Sequence, residues 1–159
     1  MAKITDKDNG YKALMVSLVG PKPVVHVGIL EAKGAEQHEN SEHTVAEIAS
    51  FHEFGLGNNP ERSFIRGYCD EQQDTVLAFM KVAMQSVRDG KYKWDVLLER
   101  VGLFVQSGIQ KRISDGIPPP LKEATIKRKT RDGKRGETPL INTGQLRAAI
   151  SFAIRKPGE

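Results

Sequence analysis

Asp89-Gly90-Lys91-Tyr92-Lys93 stands between two segments whose apolar residues recur at helical spacing. Before it, Val76, Met80, Ala83, Met84 and Val87 make one stripe of a helix predicted over 70–89, with Asp70 and Gln73 near its start and Gly90 at its stop. After it, Trp94, Leu97, Leu98, Val101, Val105 and Ile109 make the stripe of a longer helix predicted over 94–113. So short a connection predicts an antiparallel helical hairpin. Gly102 and Gly108 on the second helix leave room for a close neighbour.

Working outward from the hairpin, both ends of the chain read as strands. Lys12–Val19 and Val24–Leu30 flank the turn Gly20-Pro21-Lys22-Pro23, and Ser151–Arg155 alternates with Phe152 and Ile154 on one face. Between the first strands and the hairpin, Glu31–His43 is polar and is expected as an exposed loop. Thr44-Val45-Ala46-Glu47 fits a capping box that opens a helix, which Gly55 stops. Val45, Ile48, Ala49 and His52 share the apolar face of that helix, and Glu53 is expected off it. Beyond the hairpin, Asp115-Gly116-Ile117-Pro118-Pro119-Pro120 is an extended stop, because each proline disfavours helix in the residue before it. Leu121–Lys129 reads as a short helix and 130–137 as a basic, glycine-containing loop. Asn142 or Thr143 then caps a last short helix that carries Leu146, Ala149 and Ile150 inward. The fold class is α+β, one domain over 1–159: a small antiparallel sheet from the N- and C-terminal segments packed against the long helical hairpin. Exposed loops are expected at about 31–43 and 127–138.

Composition narrows the function. Of 159 residues 38% are hydrophobic and 28% charged, which suits a soluble globular chain, while 6% aromatic content argues against a stacking platform for single strands. The single cysteine, Cys69, permits no intrachain disulfide. The first ten residues lack the apolar run of a signal peptide, and no stretch approaches the ~18 apolar residues of a membrane span. No membrane partner is therefore expected. The charge is polarised along the chain. Glu31, Glu36, Glu39, Glu42, Glu47 and Glu53 face one Lys33, a net of −5, whereas nine bases between Lys111 and Arg135 face three acids, a net of +6. Opposed segments of this kind suit head-to-tail contacts between subunits or a nucleic-acid surface, or are two solvated loops.

A search for chemistry finds little. His52-Glu53 invites a zinc-peptidase reading, but Leu56 stands where the second histidine would be. His38 and His43 have no ligand spacing with His52. Ser63 and Ser107 lack an associated histidine and acid, and there is no phosphate-binding glycine loop. The expectation is a protein that is not an enzyme, with no cofactor, no catalytic residue and no metal site. Two segments suggest binding instead. Lys127, Arg128, Lys129, Arg131, Lys134 and Arg135 could neutralise phosphates without reading sequence. In Pro60–Arg66, Arg62, Phe64 and Arg66 alternate, a set that favours interface anchors over a plain core plug.

Val25-His26-Val27-Gly28, Ala46-Glu47-Ile48-Ala49 leading to His52-Glu53-Phe54-Gly55, Pro60-Glu61-Arg62-Ser63-Phe64-Ile65-Arg66, Pro119-Pro120-Leu121, Thr125-Ile126 with Lys129, and Pro139-Leu140-Ile141 leading to Thr143-Gly144-Gln145-Leu146-Arg147 occur in that order. That ordered set, from about Val24 to Phe152, resembles the tailed-bacteriophage neck and tail-completion proteins, also called virion morphogenesis proteins. The resemblance implies a small α+β structural subunit that assembles with itself into a ring, six-fold or twelve-fold, at the head–tail junction. The ring would join the head connector or head-closure protein to a tail-terminator or tail protein, with packaged DNA passing through. It also implies a virion component assembled in the host bacterial cytoplasm. His52, Glu53, Phe54, Gly55, Arg62, Phe64, Arg66, Thr143, Gly144, Leu146 and Arg147 are the positions that it marks as folding or subunit-contact residues. The alternative is a free nucleic-acid-binding protein that acts through 127–135 without sequence preference.

Overall fold

A computed structural model describes residue 19 and residues 23–39, 41–131 and 137–157. In chain order the elements are β1 (Val24–Ile29), α1 (Glu31–Gly34), α2 (Val45–Phe54), α3 (Arg66–Arg88), α4 (Trp94–Asp115), α5 (Glu123–Arg131), α6 (Gln145–Ala149) and β2 (Ile150–Arg155). The α+β class holds, with a two-stranded antiparallel sheet built from segments near the two chain ends. The register sets Val24 opposite Arg155, Val27 opposite Phe152 and Ile29 opposite Ile150. The segment 12–18 lies outside the described residues, so the expected first strand does too.

Two strands alone are marginal in water. Here α4 backs them. Gly102 makes that close: a Cβ there would clash with the Phe152 ring. The same device joins the helices, because a Cβ on Gly108 would strike the Tyr68 ring of α3. Farther along, the Phe79 and Phe104 rings stack with centroids 4.3 Å apart and planes within 3°. The helical hairpin is therefore antiparallel and held by aromatic contact on small residues. The core gathers Val45, Phe64, Tyr68, Ile109, Ile113, Leu146 and Ile150 where α2, α4, α6 and the sheet meet.

Several boundaries move. The expected exposed loop at 31–43 contains α1, and Gln37 forms a β-bridge with Thr44. The helix expected from Asp70 starts at Arg66. The short helix expected over 121–129 runs over Glu123–Arg131, and residues 132–136 of the basic loop lie outside the described residues. Thr44 and Glu47 do form the capping box, and Gly55 ends α2 in the left-handed conformation with φ 65.

Candidate functional site

The last turn of α2 carries Glu53, which is buried at 5% exposure. This corrects the expectation that it lies off the packed face. Val45, Ala49 and Glu53 follow one another at a spacing of four and are the buried residues of the helix. A carboxylate can be buried only if its lone pairs are filled, and here they are. Oε2 accepts from the amides of Phe64 at 2.7 Å and Ile65 at 3.1 Å. Oε1 accepts from the Ser63 hydroxyl at 2.7 Å, the Arg66 amide at 2.9 Å and Arg66 Nε at 3.3 Å.

Those amides belong to the start of α3. The residue before that helix, Ile65, offers no side-chain cap, and the first amides of a helix have no partner inside it. Glu53 supplies the cap from another element, with its charge at the favourable end of the helix dipole. Burial pushes the Glu53 carboxyl up. The amides of Arg66, Ile65 and Phe64 and the Ser63 hydroxyl outweigh that and hold it below its ordinary value.

Further bonds close the junction. The Arg62 amide donates to the His52 carbonyl at 2.7 Å. The Arg62 side chain, 5% exposed, donates from Nε and Nη2 to the Pro119 carbonyl at 3.0 and 2.6 Å. Arg66 lies over the Phe54 ring, 4.7 Å from its centroid, and donates to the Glu53 carbonyl and to Glu61 at 2.8 and 2.9 Å. From α4, Arg112 reaches the Ser63 carbonyl at 3.2 Å and the Glu71 carboxylate. His52 is half-buried, and its Nδ1 finds no hydrogen-bond partner among the described residues. Burial first, then the charges of Arg62 and His38, push its pKa down.

The structure thus brings His52, Glu53, Phe54, Gly55, Arg62, Phe64 and Arg66 into one site. In the sequence, the alternation of Arg62 and Phe64 favours interface anchors. Instead both turn inward, Phe64 with no exposed surface. Ser63, Glu61 and Arg112 complete the site and were not anticipated. The serine and the arginine had no visible partner in sequence, since Glu53 and Ser63 stand ten residues apart.

Thr143, Gly144, Leu146 and Arg147 form a second group at α6. Leu146 is buried in the core, Gly144 is left-handed at φ 87, and the Thr143 hydroxyl accepts from the Gln145 amide at 3.4 Å. Arg147 is exposed and donates to the Ser114 hydroxyl at 3.0 Å. On α5, Lys127 and Arg128 are exposed. Lys129 departs from the expectation of a nucleic-acid-facing row. It is buried, and its ammonium donates to the carbonyls of Ile141 at 2.6 Å and Thr138 at 3.2 Å, which ties α5 to the turn before α6. Lys134 and Arg135 lie outside the described residues.

Chemically the junction is a fastener. Glu53 spends its oxygens on five donors, so none is left poised to take a proton from a substrate. Burial, followed by the charges of Asp70 and Glu53, pushes the Cys69 thiol up, away from the thiolate that a nucleophile needs. Among the described residues no three His, Cys, Asp or Glu side chains gather as metal ligands, and no helix is long and apolar enough to cross a membrane. A groove of about 710 Å³ runs between α3 and α4, and ion pairs within its lining, Lys111 with Asp115 and Arg112 with Glu71, already close on each other. No protein-family model, curated protein or solved structure matches the chain.

Proposed function

We propose that this protein is a non-enzymatic structural subunit of a tailed-phage head–tail junction, forming a ring around the DNA channel between the head connector and the tail. One observation carries the reading. Glu53, Arg62, Phe64 and Arg66, which mark the resemblance, are occupied in fastening one helix end to another rather than held open toward a ligand. A subunit whose work is to keep a shape requires that, and a catalyst does not. The exposed charges of the two segments, Glu31, Glu36, Glu39, Glu42 and Glu47 against Lys127, Arg128 and Arg131, support it as well, since unlike surfaces on one chain suit heterologous contacts that close into rings. Cryo-electron microscopy of the purified particle, focused on the head–tail junction, tests it. The expected result is density for this chain as a ring around the channel. Absence of the chain from purified virions rejects the reading.

The second reading, binding to nucleic acid without sequence preference, draws on the exposed Lys127 and Arg128 of α5. It requires the free protein to bind DNA with an affinity that falls steeply with salt. Filter binding that is unchanged by charge reversal at Lys127, Arg128 and Arg131 rejects it.

A further inference from the structure

The α3 helix runs for 23 residues, yet Tyr68 is its one buried side chain. One flank packs on α4, and the opposite flank has no neighbour among the described residues. Leu77, Val82 and Met84 are large apolar side chains 44%, 69% and 47% exposed.

The charges on that outer flank are ordered. Helical spacing puts Asp70, Asp74, Leu77, Ala78, Lys81 and Arg88 on one side, with Val82 and Met84 at its margins. All six are exposed. Past Arg66, whose guanidinium is committed to Glu53 and Glu61, acids therefore occupy the N-terminal half, apolar residues the middle and bases the C-terminal half. Asp70, Asp74 and Lys81 make no ion pair among the described residues, and Arg88 reaches Asp89 only at 3.9 Å.

A sequence acid–apolar–base along one face complements itself when reversed. We infer that the outer face of α3 is the docking surface for a second copy of this chain, with the two α3 helices antiparallel about a two-fold axis between Leu77 and Ala78. That axis lies midway between Asp74 and Lys81, so each aspartate meets the partner's lysine in two equivalent pairs. Asp70 then falls about 4.5 Å along the axis from the level of the opposing Arg88, within reach of an arginine. Leu77 and Ala78 of the two copies meet at the centre, and Val82 and Met84 close the margins. A parallel arrangement would instead set acid on acid and base on base. The contact is isologous, uses none of the residues of the Glu53 junction, and does not depend on the virion reading.

Sedimentation velocity on the full chain, at low and high salt, reads the association. The expected species is a dimer that loosens as salt rises. Asp74→Lys alone and Lys81→Asp alone are each expected to weaken it at least about tenfold. The combined exchange Asp74→Lys/Lys81→Asp restores it, because the pairs re-form with reversed sign. As a check without charge changes, Ala78→Cys in a Cys69→Ser background is expected to give a covalent dimer on mild oxidation. Wild-type Cys69, far from the axis, is expected not to link to itself. The proposal is overturned by a monomer at every concentration, by a dimer indifferent to the single charge reversals, by a combined variant no tighter than the single ones, or by self-linkage through Cys69 in preference to position 78.

Discussion

Glu53 shows how much a single side chain can organise. Glu53→Gln keeps the size but removes the charge and turns an amide donor toward other donors. It is expected to cost about 2–4 kcal/mol in chemical denaturation. Arg62→Lys replaces a planar fork by one ammonium facing the Pro119 carbonyl, with an expected loss of about 1–2 kcal/mol measured the same way. Acid should undo the junction in two stages. The His52 pKa is depressed below 6.5 in the fold, so from there downward the unfolded chain takes up the proton first and stability falls. The Glu53 pKa is depressed below 4.5, so its contribution is present above that value and lost as the pH falls through the folded one. Melting temperatures across this range check both, with His52→Leu flattening the upper stage and Glu53→Gln the lower.

At the scale of elements, what could be read from sequence was what an element carries within itself. The Thr44 capping box, the Gly55 stop, the hairpin and the inward set Leu146, Ala149 and Ile150 are all local patterns, and all stand. Gly102 and Gly108 were legible as places of close approach, although not what approached. Gly108→Ala is expected to drive the Tyr68 ring aside and cost about 1–3 kcal/mol in thermal unfolding. The start of α3 was not legible, because its cap comes from α2. With no cap at Ile65, sequence spacing pointed to Asp70, and the helix in fact begins four residues sooner. The burial of Glu53 is hidden in the sequence for a related reason. Glutamate reads as a surface residue until its donors are known, and three of them are backbone amides, which every sequence has and none displays. The alternation of Arg62, Phe64 and Arg66 was recognised as unusual, and its partners turned out to lie within the same chain.

For the molecule as a whole, the sheet is the seam. Removing the residues after Ala149 takes away β2 and uncovers Val27, Ile29 and the Gly102 face of α4 together. Such a truncation is expected to abolish the cooperative thermal transition followed by circular dichroism. The register that places Ile29 against Ile150 also has a consequence in time. The α3–α4 hairpin needs only its own short connection to form, whereas β1 must wait for a strand from the far side of the chain. Closing so large a loop is slow, and it repays the lost freedom only once α4 is there to receive the strands. The helices should therefore be native-like in the rate-limiting state while the strands are still apart. Conservative substitutions at Val27 or Ile154 would then speed unfolding and leave the folding rate nearly untouched. A growing chain can thus hold a finished hairpin and an unfinished sheet until β2 arrives.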